Sequence, residues 1–147
     1  MINNPKISVV IPVYGVERYL QQCIDSLINQ SMTEIEYIFV NDASPDGCLD
    51  ILLDNQAKHP DVIKVIDSPV NKKQGGARNM GVDASRAEFI GFVDSDDFVS
   101  PNMYRKLYDA INRTNSDASF IQYASVNSDT VYSYDKAGGG YQSLIGI

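Results

Sequence analysis

The sequence predicts an α/β protein with a mostly parallel sheet that is covered by helices on both faces. Two observations support this fold class: short β-branched runs alternate with segments of helical period, and polar clusters follow several of the runs directly. Strands that alternate with helices form βαβ units, in which successive strands are parallel and both faces of the sheet are buried. A chain of 147 residues is long enough to bury one core of this kind.

Five apolar runs predict the strands. The first, Ile-Ser-Val-Val-Ile at 7–11, is rich in β-branched residues and is stopped by Pro12. Short apolar runs of this kind are typical of strands that are buried on both faces. The other four runs are residues 36–40, 62–66, 88–93 and 118–123.

Four segments with helical spacing lie between the strands. In residues 17–29 the apolar positions fall on one helix face, and they are Leu20, Cys23, Ile24, Leu27 and Ile28. The second and fourth helices are predicted at 49–57 and 104–111, the latter just after Pro101, which suits a first helical turn. The third, at 77–84, has a face of small residues that would let it approach a sheet closely.

Acidic residues cluster directly after the fourth predicted strand. Their order is Asp94, Ser95, Asp96 and Asp97. In extended backbone alternate side chains project to the same side, so Asp94 and Asp96 are expected to face one point. Neighbouring carboxylates repel each other unless a cation lies between them, and their oxygens suit Mg²⁺ or Mn²⁺. A helix-capping turn would explain the same residues, so the spacing leaves both interpretations open.

Two further polar segments could join this site. Gly75 and Gly76 allow backbone N–H groups to approach an anion, and Arg78, in the first turn of the third helix, could donate to a phosphate. A flexible turn in which Arg78 pairs with a nearby acid fits equally well. Asp42, after the second strand, could accept a nucleobase N–H, or it could cap the helix that begins near Cys48.

Charge and composition argue against several function classes. A net charge of −7 disfavours a nucleic-acid partner, because phosphate backbones are bound by an excess of Lys and Arg. No apolar run is long enough to span a bilayer, and the N-terminus lacks the apolar core of a signal peptide. We therefore expect a cytoplasmic protein with reduced Cys23 and Cys48, and leave peripheral attachment to the inner face of the membrane open.

The order of these segments resembles the family 2 glycosyltransferases, which are inverting enzymes with the GT-A nucleotide-sugar fold. The resemblance covers residues 6–123. It depends on four segments in one order, which are Pro12-Val13-Tyr14, Asp42, Gly76-Ala77-Arg78-Asn79 and Asp94-Ser95-Asp96-Asp97. It implies a transferase that moves a sugar from a nucleotide-sugar donor, usually a UDP-sugar, to a glycan or another hydroxyl acceptor in polysaccharide or cell-envelope synthesis.

The resemblance implies where the nucleobase binds. Pro12, Val13 and Tyr14 would line the base pocket, and Asp42 would contact the base, which is usually uracil. These residues follow the first two predicted strands.

The resemblance also implies how the rest of the donor is held. Arg78 would lie by the diphosphate. The Asp-x-Asp motif, Asp94-Ser95-Asp96, would meet the ribose through Asp94 and a Mn²⁺ or Mg²⁺ ion through Asp96, with Asp94 as a second candidate metal ligand. Ser95 is included among the donor-binding residues because it lies within this motif.

The sequence lacks a candidate for the catalytic base. In the family this base is a carboxylate on a later segment. Here no glutamate follows Glu88, and the later aspartates do not lie in the sequence context that surrounds the base in the family. We therefore predict that residues 1–124 form the donor-binding part and that 125–147 form an edge strand or a flexible tail, the cut end of a longer domain. The alternative is a truncated, non-catalytic module that binds sugar nucleotides.

Other enzyme classes fit less well, and three positions depart from the family pattern. A nucleotidyltransferase would carry a Gly-rich, Arg-containing loop directly after the first strand, and a dinucleotide dehydrogenase would need G-x-G-x-x-G; neither is present. Asn41 stands where an aspartate is common, Gly15 where an asparagine is common, and Lys73 where a glycine is usual. We expect the Lys73 side chain to be solvated rather than bound to phosphate.

Overall fold

Strands and helices alternate along most of the chain. The computed structural model describes residues 2–122, 126–127, 130–131 and 141–146, with side chains up to residue 121. The elements are β1 (Ile7–Val13), α1 (Glu17–Ile28), β2 (Ile35–Asn41), α2 (Cys48–Lys58), β3 (Ile63–Asp67), α3 (Lys73–Asp83), β4 (Phe89–Phe92), α4 (Met103–Thr114), β5 (Ala118–Gln122), β6 (Val126–Asn127), β7 (Thr130–Val131) and β8 (Tyr141–Gly146).

The main sheet is mostly parallel. Its six strands lie in the order β3-β2-β1-β4-β8-β5, and β6 and β7 form a separate two-stranded sheet. β1 is parallel to both β2 and β4, and β2 is parallel to β3. β8 is antiparallel to β4 and to β5. The α/β fold class predicted from the alternating pattern is confirmed.

The last described strand lies inside the sheet. We expected an edge strand or a flexible tail after residue 124, but β8 is inserted between β4 and β5, so that β5 forms the edge. In this position β8 exchanges backbone hydrogen bonds with a strand on each side, whereas an edge strand leaves one side unpaired. The division of the chain at residue 124 stays a prediction.

Helices cover both faces of the sheet. On one face Leu20 of α1, Leu52 of α2 and Leu107 of α4 belong to a single buried cluster with residues of the central strands. On the other face Ala77 of α3 packs against β2 residues that include Ile38. Successive strand side chains point to opposite faces, so a strand between two helical layers is apolar throughout. This arrangement explains why the predicted strands are continuous apolar runs.

The third helix lies close to β1 because Gly81 has no side chain. A Cβ atom at Gly81 would overlap the side chain of Val10. The small residues of this helix therefore do allow the close approach that the sequence predicted. α3 begins at Lys73, earlier than expected, so Gly75 lies within the helix and Arg78 lies in its second turn rather than its first.

An ion pair between a buried carboxylate and a partly exposed arginine joins the amino ends of three strands. Glu36 of β2 is 3% exposed and accepts hydrogen bonds from Arg86 Nε at 2.9 Å and Ser8 Oγ at 2.6 Å. Arg86 lies just before β4 and Ser8 lies in β1. A buried carboxylate requires this kind of charged and hydrogen-bonded partner. These contacts fix the edge of the sheet opposite the predicted site.

Candidate functional site

The predicted site residues follow strands that end at the same edge of the sheet. β1 lies between β2 and β4, so the chain builds the sheet outward through β2 and β3 and then returns to the other side of β1 with β4. In open α/β sheets, ligands bind in the crevice outside the carboxyl ends of the strands at such a switch point. Tyr14, Asp42 and Asp94 follow β1, β2 and β4 at this crevice.

A cavity of about 380 Å³ lies at this edge. Its lining contains every predicted donor-binding or metal residue except Arg78, namely Pro12, Val13, Tyr14, Asp42, Asp94, Ser95 and Asp96. The lining is completed by residues that were not among the predicted site residues, and these are Val16, Asn71, Lys73, Gln74 and Ala77. The structure therefore brings together four segments that are far apart in the chain, which are residues 12–16, 42, 71–77 and 94–96.

Asp42 connects the end of β2 to the loop before α3. It is 2% exposed, and its Oδ1 accepts a hydrogen bond from Lys72 N at 2.6 Å. Its own N donates to Val13 O at 2.9 Å. The first turn of α2 is satisfied by Asp46 instead, whose Oδ1 accepts from Cys48 N at 3.2 Å. The capping interpretation of Asp42 was therefore wrong, and its Oδ2, which has no hydrogen-bond partner within the described side chains, is left for the cavity.

Arg78 is not part of the cavity lining and is paired with Asp94. Arg78 Nη2 donates to Asp94 Oδ1 at 2.7 Å, and Gln74 Nε2 donates to the same oxygen at 3.1 Å. The guanidinium also lies over the Phe92 ring, with Cζ 5.9 Å from the ring centroid. Of the two interpretations that the sequence left open, pairing with a nearby acid is the one observed. Arg78 Nε is buried and has no hydrogen-bond partner among the residues described.

The acidic segment is both a turn and part of the cavity. β4 ends at Phe92, and Asp97 N donates to Asp94 O at 3.0 Å, which closes a four-residue turn. Within this turn Ser95 is buried, Asp94 is partly exposed and Asp96 is exposed. The turn and the ligand site were alternative interpretations of the sequence, but one backbone conformation can serve both because the turn presents its acids to the cavity.

Negative charge is concentrated at this edge. Burial first, and then the charges of Asp96 and Asp94, raise the pKa of the Asp97 carboxyl. The Cys23 Sγ lies 3.9 Å from Asp94 O, and burial together with the same acids raises the pKa of this thiol to about 12. Cys23 is therefore a neutral thiol near pH 7. Both Cys23 and Cys48 are buried and free.

The loops after β1 and β2 are held together by side chains that the sequence analysis did not single out. Gly15, at φ +66, donates its N–H to Ser44 Oγ at 2.7 Å. Asp46 Oδ2 accepts from Glu17 N at 3.1 Å, and Glu17 Oε2 accepts from Gly47 N at 3.0 Å. Burial alone would raise the pKa of Asp46, but the hydrogen bonds that its carboxylate accepts from Ser44, Cys48 and Glu17 hold this pKa well below its usual range. The sequence could have indicated these contacts, because Ser44 and Asp46 are residue types whose side chains bond to nearby backbone in turns.

A second, more open cavity of about 610 Å³ lies beside the first. Its lining is formed by Gly15, Val16, Glu17, Arg18, Tyr19, Asp46 and Ile51. It shares Val16 with the smaller cavity but includes no residue of α3 or of the acidic turn. We place the candidate site in the smaller cavity, because only that cavity combines the ends of three strands.

Comparison with known proteins identifies the family. The family model described as Glycosyl transferase family 2 matches residues 8–139, which is most of the chain. The chain belongs to this family. This match confirms the resemblance to the family 2 glycosyltransferases that the motifs indicated, and we refer to the protein below as the family 2 chain.

The family 2 chain is similar to several glycosyltransferases. It is 38% identical over 125 residues to the uncharacterized glycosyltransferase EpsJ of Bacillus subtilis, covering 85% of this chain and 36% of that protein. It is 38% identical over 125 residues to the poly(ribitol-phosphate) beta-glucosyltransferase of Bacillus spizizenii, covering 83% of this chain and 20% of that protein. The crystal structure of S. aureus TarS 1-349 in complex with UDP-GlcNAc matches with a TM-score of 0.77 and 30% identity, covering 87% of this chain and 37% of that chain.

These similarities confirm the family and the GT-A fold expected from it. The family 2 chain spans 36% and 20% of the length of the two curated relatives named above. Among the helices that the structure describes, none is long and apolar enough to cross a membrane. The cytoplasmic location and the acceptor stay predictions.

Proposed function

We propose that this chain provides the donor-binding part of a metal-dependent, inverting glycosyltransferase. The donor would be a nucleotide-sugar, specifically a UDP-sugar, and the acceptor a glycan or another hydroxyl compound. The observation that carries the proposal is that Tyr14, Asp42 and Asp94 reach one cavity of about 380 Å³ from the ends of three strands. A cavity of this size is typical of small-ligand sites, and its largely polar lining suits a charged ligand.

The segment 12–14 and Asp42 would bind the nucleobase. Tyr14 is 52% exposed, so its ring is accessible for stacking on a planar base. Asp42 is almost fully buried, and its Oδ2 would accept the imide N–H of uracil, which is a strong hydrogen bond because the acceptor is charged. That the structurally similar TarS was crystallised with UDP-GlcNAc supports uracil as the base.

The acidic turn would hold a divalent cation together with the donor. Asp94 and Asp96 both line the cavity, and Mg²⁺ or Mn²⁺ is commonly held by one or two carboxylates plus phosphate oxygens and water. No group of three or more His, Cys, Asp or Glu residues in the described part is placed to hold a metal by itself. The residues therefore fit a cation shared with a phosphate rather than a closed protein site. When bound, such a cation supplies positive charge that stabilises a leaving diphosphate.

Arg78 would bind the diphosphate while it remains close to Asp94. Asp94 Oδ1 already has two donors, Arg78 and Gln74. A planar guanidinium has five N–H donors and can bind a carboxylate and a phosphate together. The buried, unpartnered Nε is a donor that the protein itself does not use within its described part. Arg78 would thus orient Asp94 and balance the charge of the diphosphate.

Sugar transfer would also require a general base, and we assign no residue of this chain to that role. The acceptor hydroxyl must lose its proton as it attacks the anomeric carbon from the side opposite the leaving diphosphate. Among the acids that line the cavity, Asp42 and Asp94 already have hydrogen-bond donors, and Asp96 is assigned to the cation. We assign none of these carboxylates as the base, and the non-catalytic sugar-nucleotide-binding module is kept as the second candidate.

Calorimetric titration of the 147-residue chain with UDP tests the donor site. We expect tighter binding with Mn²⁺ than with EDTA. Equal affinity in both would contradict the metal role of Asp96, and no binding in either would contradict the donor site itself.

A hydrolysis assay with a panel of UDP-sugars separates the two candidates. A transferase should release UDP slowly from one preferred donor, because water can replace the acceptor. A donor that binds with Mn²⁺ but is never hydrolysed would favour the binding module.

A further inference from the structure

Lys73 has a backbone conformation that is costly for its residue type. Its φ is +65, and it is the first residue of α3. L-residues avoid the left-handed region because Cβ crowds the following carbonyl, and glycine is the residue that adopts this conformation without steric cost. Asn4, Ala43 and Asn115 also have positive φ; asparagine tolerates it far better than lysine does, and Ala43 lies beside Asp42 at the same edge of the sheet.

Two hydrogen bonds from backbone N–H groups hold the chain at and just before Lys73. The N–H of Lys73 donates to Asn71 Oδ1 at 2.9 Å, and the preceding Lys72 N–H donates to Asp42 Oδ1 at 2.6 Å. The hydrogen bond to Asp42 therefore connects the loop before α3 to the end of β2. Residues in costly backbone regions persist where the surrounding structure over-determines them, and such residues concentrate at ligand sites.

Lys73 also brings a positive charge to an acidic cavity. It lines the cavity together with Asp42, Asp94 and Asp96, and among the lining residues it is the one with a positive charge. Arg78 is already paired with Asp94 at 2.7 Å. Within the side chains that the structure describes, the Lys73 ammonium makes no ion pair and no hydrogen bond. It is therefore free to bind an anion.

We propose that Lys73 is a further donor-binding residue whose ammonium contacts the diphosphate of the nucleotide-sugar. This inference rests on the proposed function of the cavity and replaces our expectation that the side chain is merely solvated. A diphosphate carries enough negative charge for a cation at the acidic turn and for a lysine and an arginine on α3. A compact ammonium on a flexible stem suits such a phosphate contact, because it needs no fixed donor geometry.

Titration of the 147-residue chain with UDP and with uridine, both with Mn²⁺, tests the role of Lys73. Lys73→Asn removes the ammonium and keeps a residue that tolerates positive φ. We expect it to weaken UDP binding about tenfold, as expected for one charged hydrogen bond, and to leave uridine binding unchanged. Lys73→Arg should retain most of the UDP affinity. Lys106→Asn, the same charge change at an exposed position of α4, is the matched control and should bind UDP like the wild type.

The outcomes separate this inference from the proposed function. A wild-type chain that binds no UDP would overturn both. Equal UDP affinity for the wild type and Lys73→Asn would overturn the inference alone. Lys73→Gly adds a thermal-denaturation test, since it relieves the backbone conformation. We expect an unchanged or higher melting temperature with the same loss of UDP affinity, and a lower melting temperature with unchanged affinity would show that Lys73 is structural and overturn the inference.

Discussion

Arg78 Nη2 and Asp94 Oδ1 lie 2.7 Å apart, which joins the second turn of α3 to the turn after β4. The pair connects the residue expected to bind the diphosphate with the residue expected to meet the ribose and the cation. The two side chains are 36% and 44% exposed, so the pair contributes about 1 kcal/mol or less to stability. Its role is therefore one of positioning rather than of stabilising the fold.

Arg78→Lys should weaken UDP binding by about tenfold with little change in stability, because lysine keeps the charge but loses the planar fork. Calorimetry with Mn²⁺ measures the affinity, and urea denaturation measures the stability. Arg105→Lys is the control, since Arg105 pairs at 4.0 Å with Glu34 near the opposite edge of the sheet. Unchanged UDP affinity in Arg78→Lys would remove the diphosphate role of Arg78.

Asp42→Asn should separate base recognition from folding. Asparagine keeps an oxygen that can accept from Lys72 N, so the loop before α3 should be retained. It loses the second carboxylate oxygen, so UDP binding should weaken about tenfold or more while pyrophosphate binding stays the same. Asp42→Ala should in addition lower the free energy of unfolding by about 1 kcal/mol or more, because the Lys72 N–H loses its acceptor. An equal loss of affinity for UDP and pyrophosphate would argue against the base contact.

Arg86→Ala should lower the free energy of unfolding by about 1–3 kcal/mol, because the carboxylate of Glu36 loses its charged partner and keeps only the hydrogen bonds from Ser8 Oγ and the residue 86 N–H. Glu36 is 3% exposed. Lys58→Ala is the matched control: Lys58 and Asp54 form an i,i+4 pair whose side chains are 61% and 62% exposed, so its loss should cost about 0.5 kcal/mol or less. Urea denaturation measures both variants. Similar losses of stability in the two variants would show that the buried carboxylate of Glu36 does not need the Arg86 side chain.

Two glycines of α3 should respond in opposite directions to alanine. Gly81→Ala places a methyl group against Val10 and should destabilise the fold by about 1–3 kcal/mol. Gly75→Ala meets no atom within 4 Å and should stabilise it by about 0.5–1 kcal/mol, because alanine is the better helix former. Denaturant midpoints measure both changes. A stabilising Gly81→Ala would mean that α3 does not pack tightly on β1.

The sequence predicted the fold class well because its signals are local. Continuous apolar runs and a period of three to four residues depend only on neighbours in the chain, and they located the strands and helices of the first 122 residues. The start of α3 was misplaced, because Lys73, Gly75 and Gly76 have poor helix propensity or an unusual φ that tertiary contacts overcome. The position of β8 between β4 and β5 depends on pairing between distant segments, which no local pattern encodes.

For the site, the residues that follow the strand ends can be read from the sequence, because polar segments after buried runs are visible without any structure. The hydrogen-bond partners of these residues depend on the packing of the folded chain. Arg78 with Asp94, Asp42 with Lys72, and Ser44 with Gly15 are contacts across 16, 30 and 29 residues of chain. Such pairs form because helix and strand packing brings separate loops to one edge, and the spacing of residues along the chain carries no record of that packing.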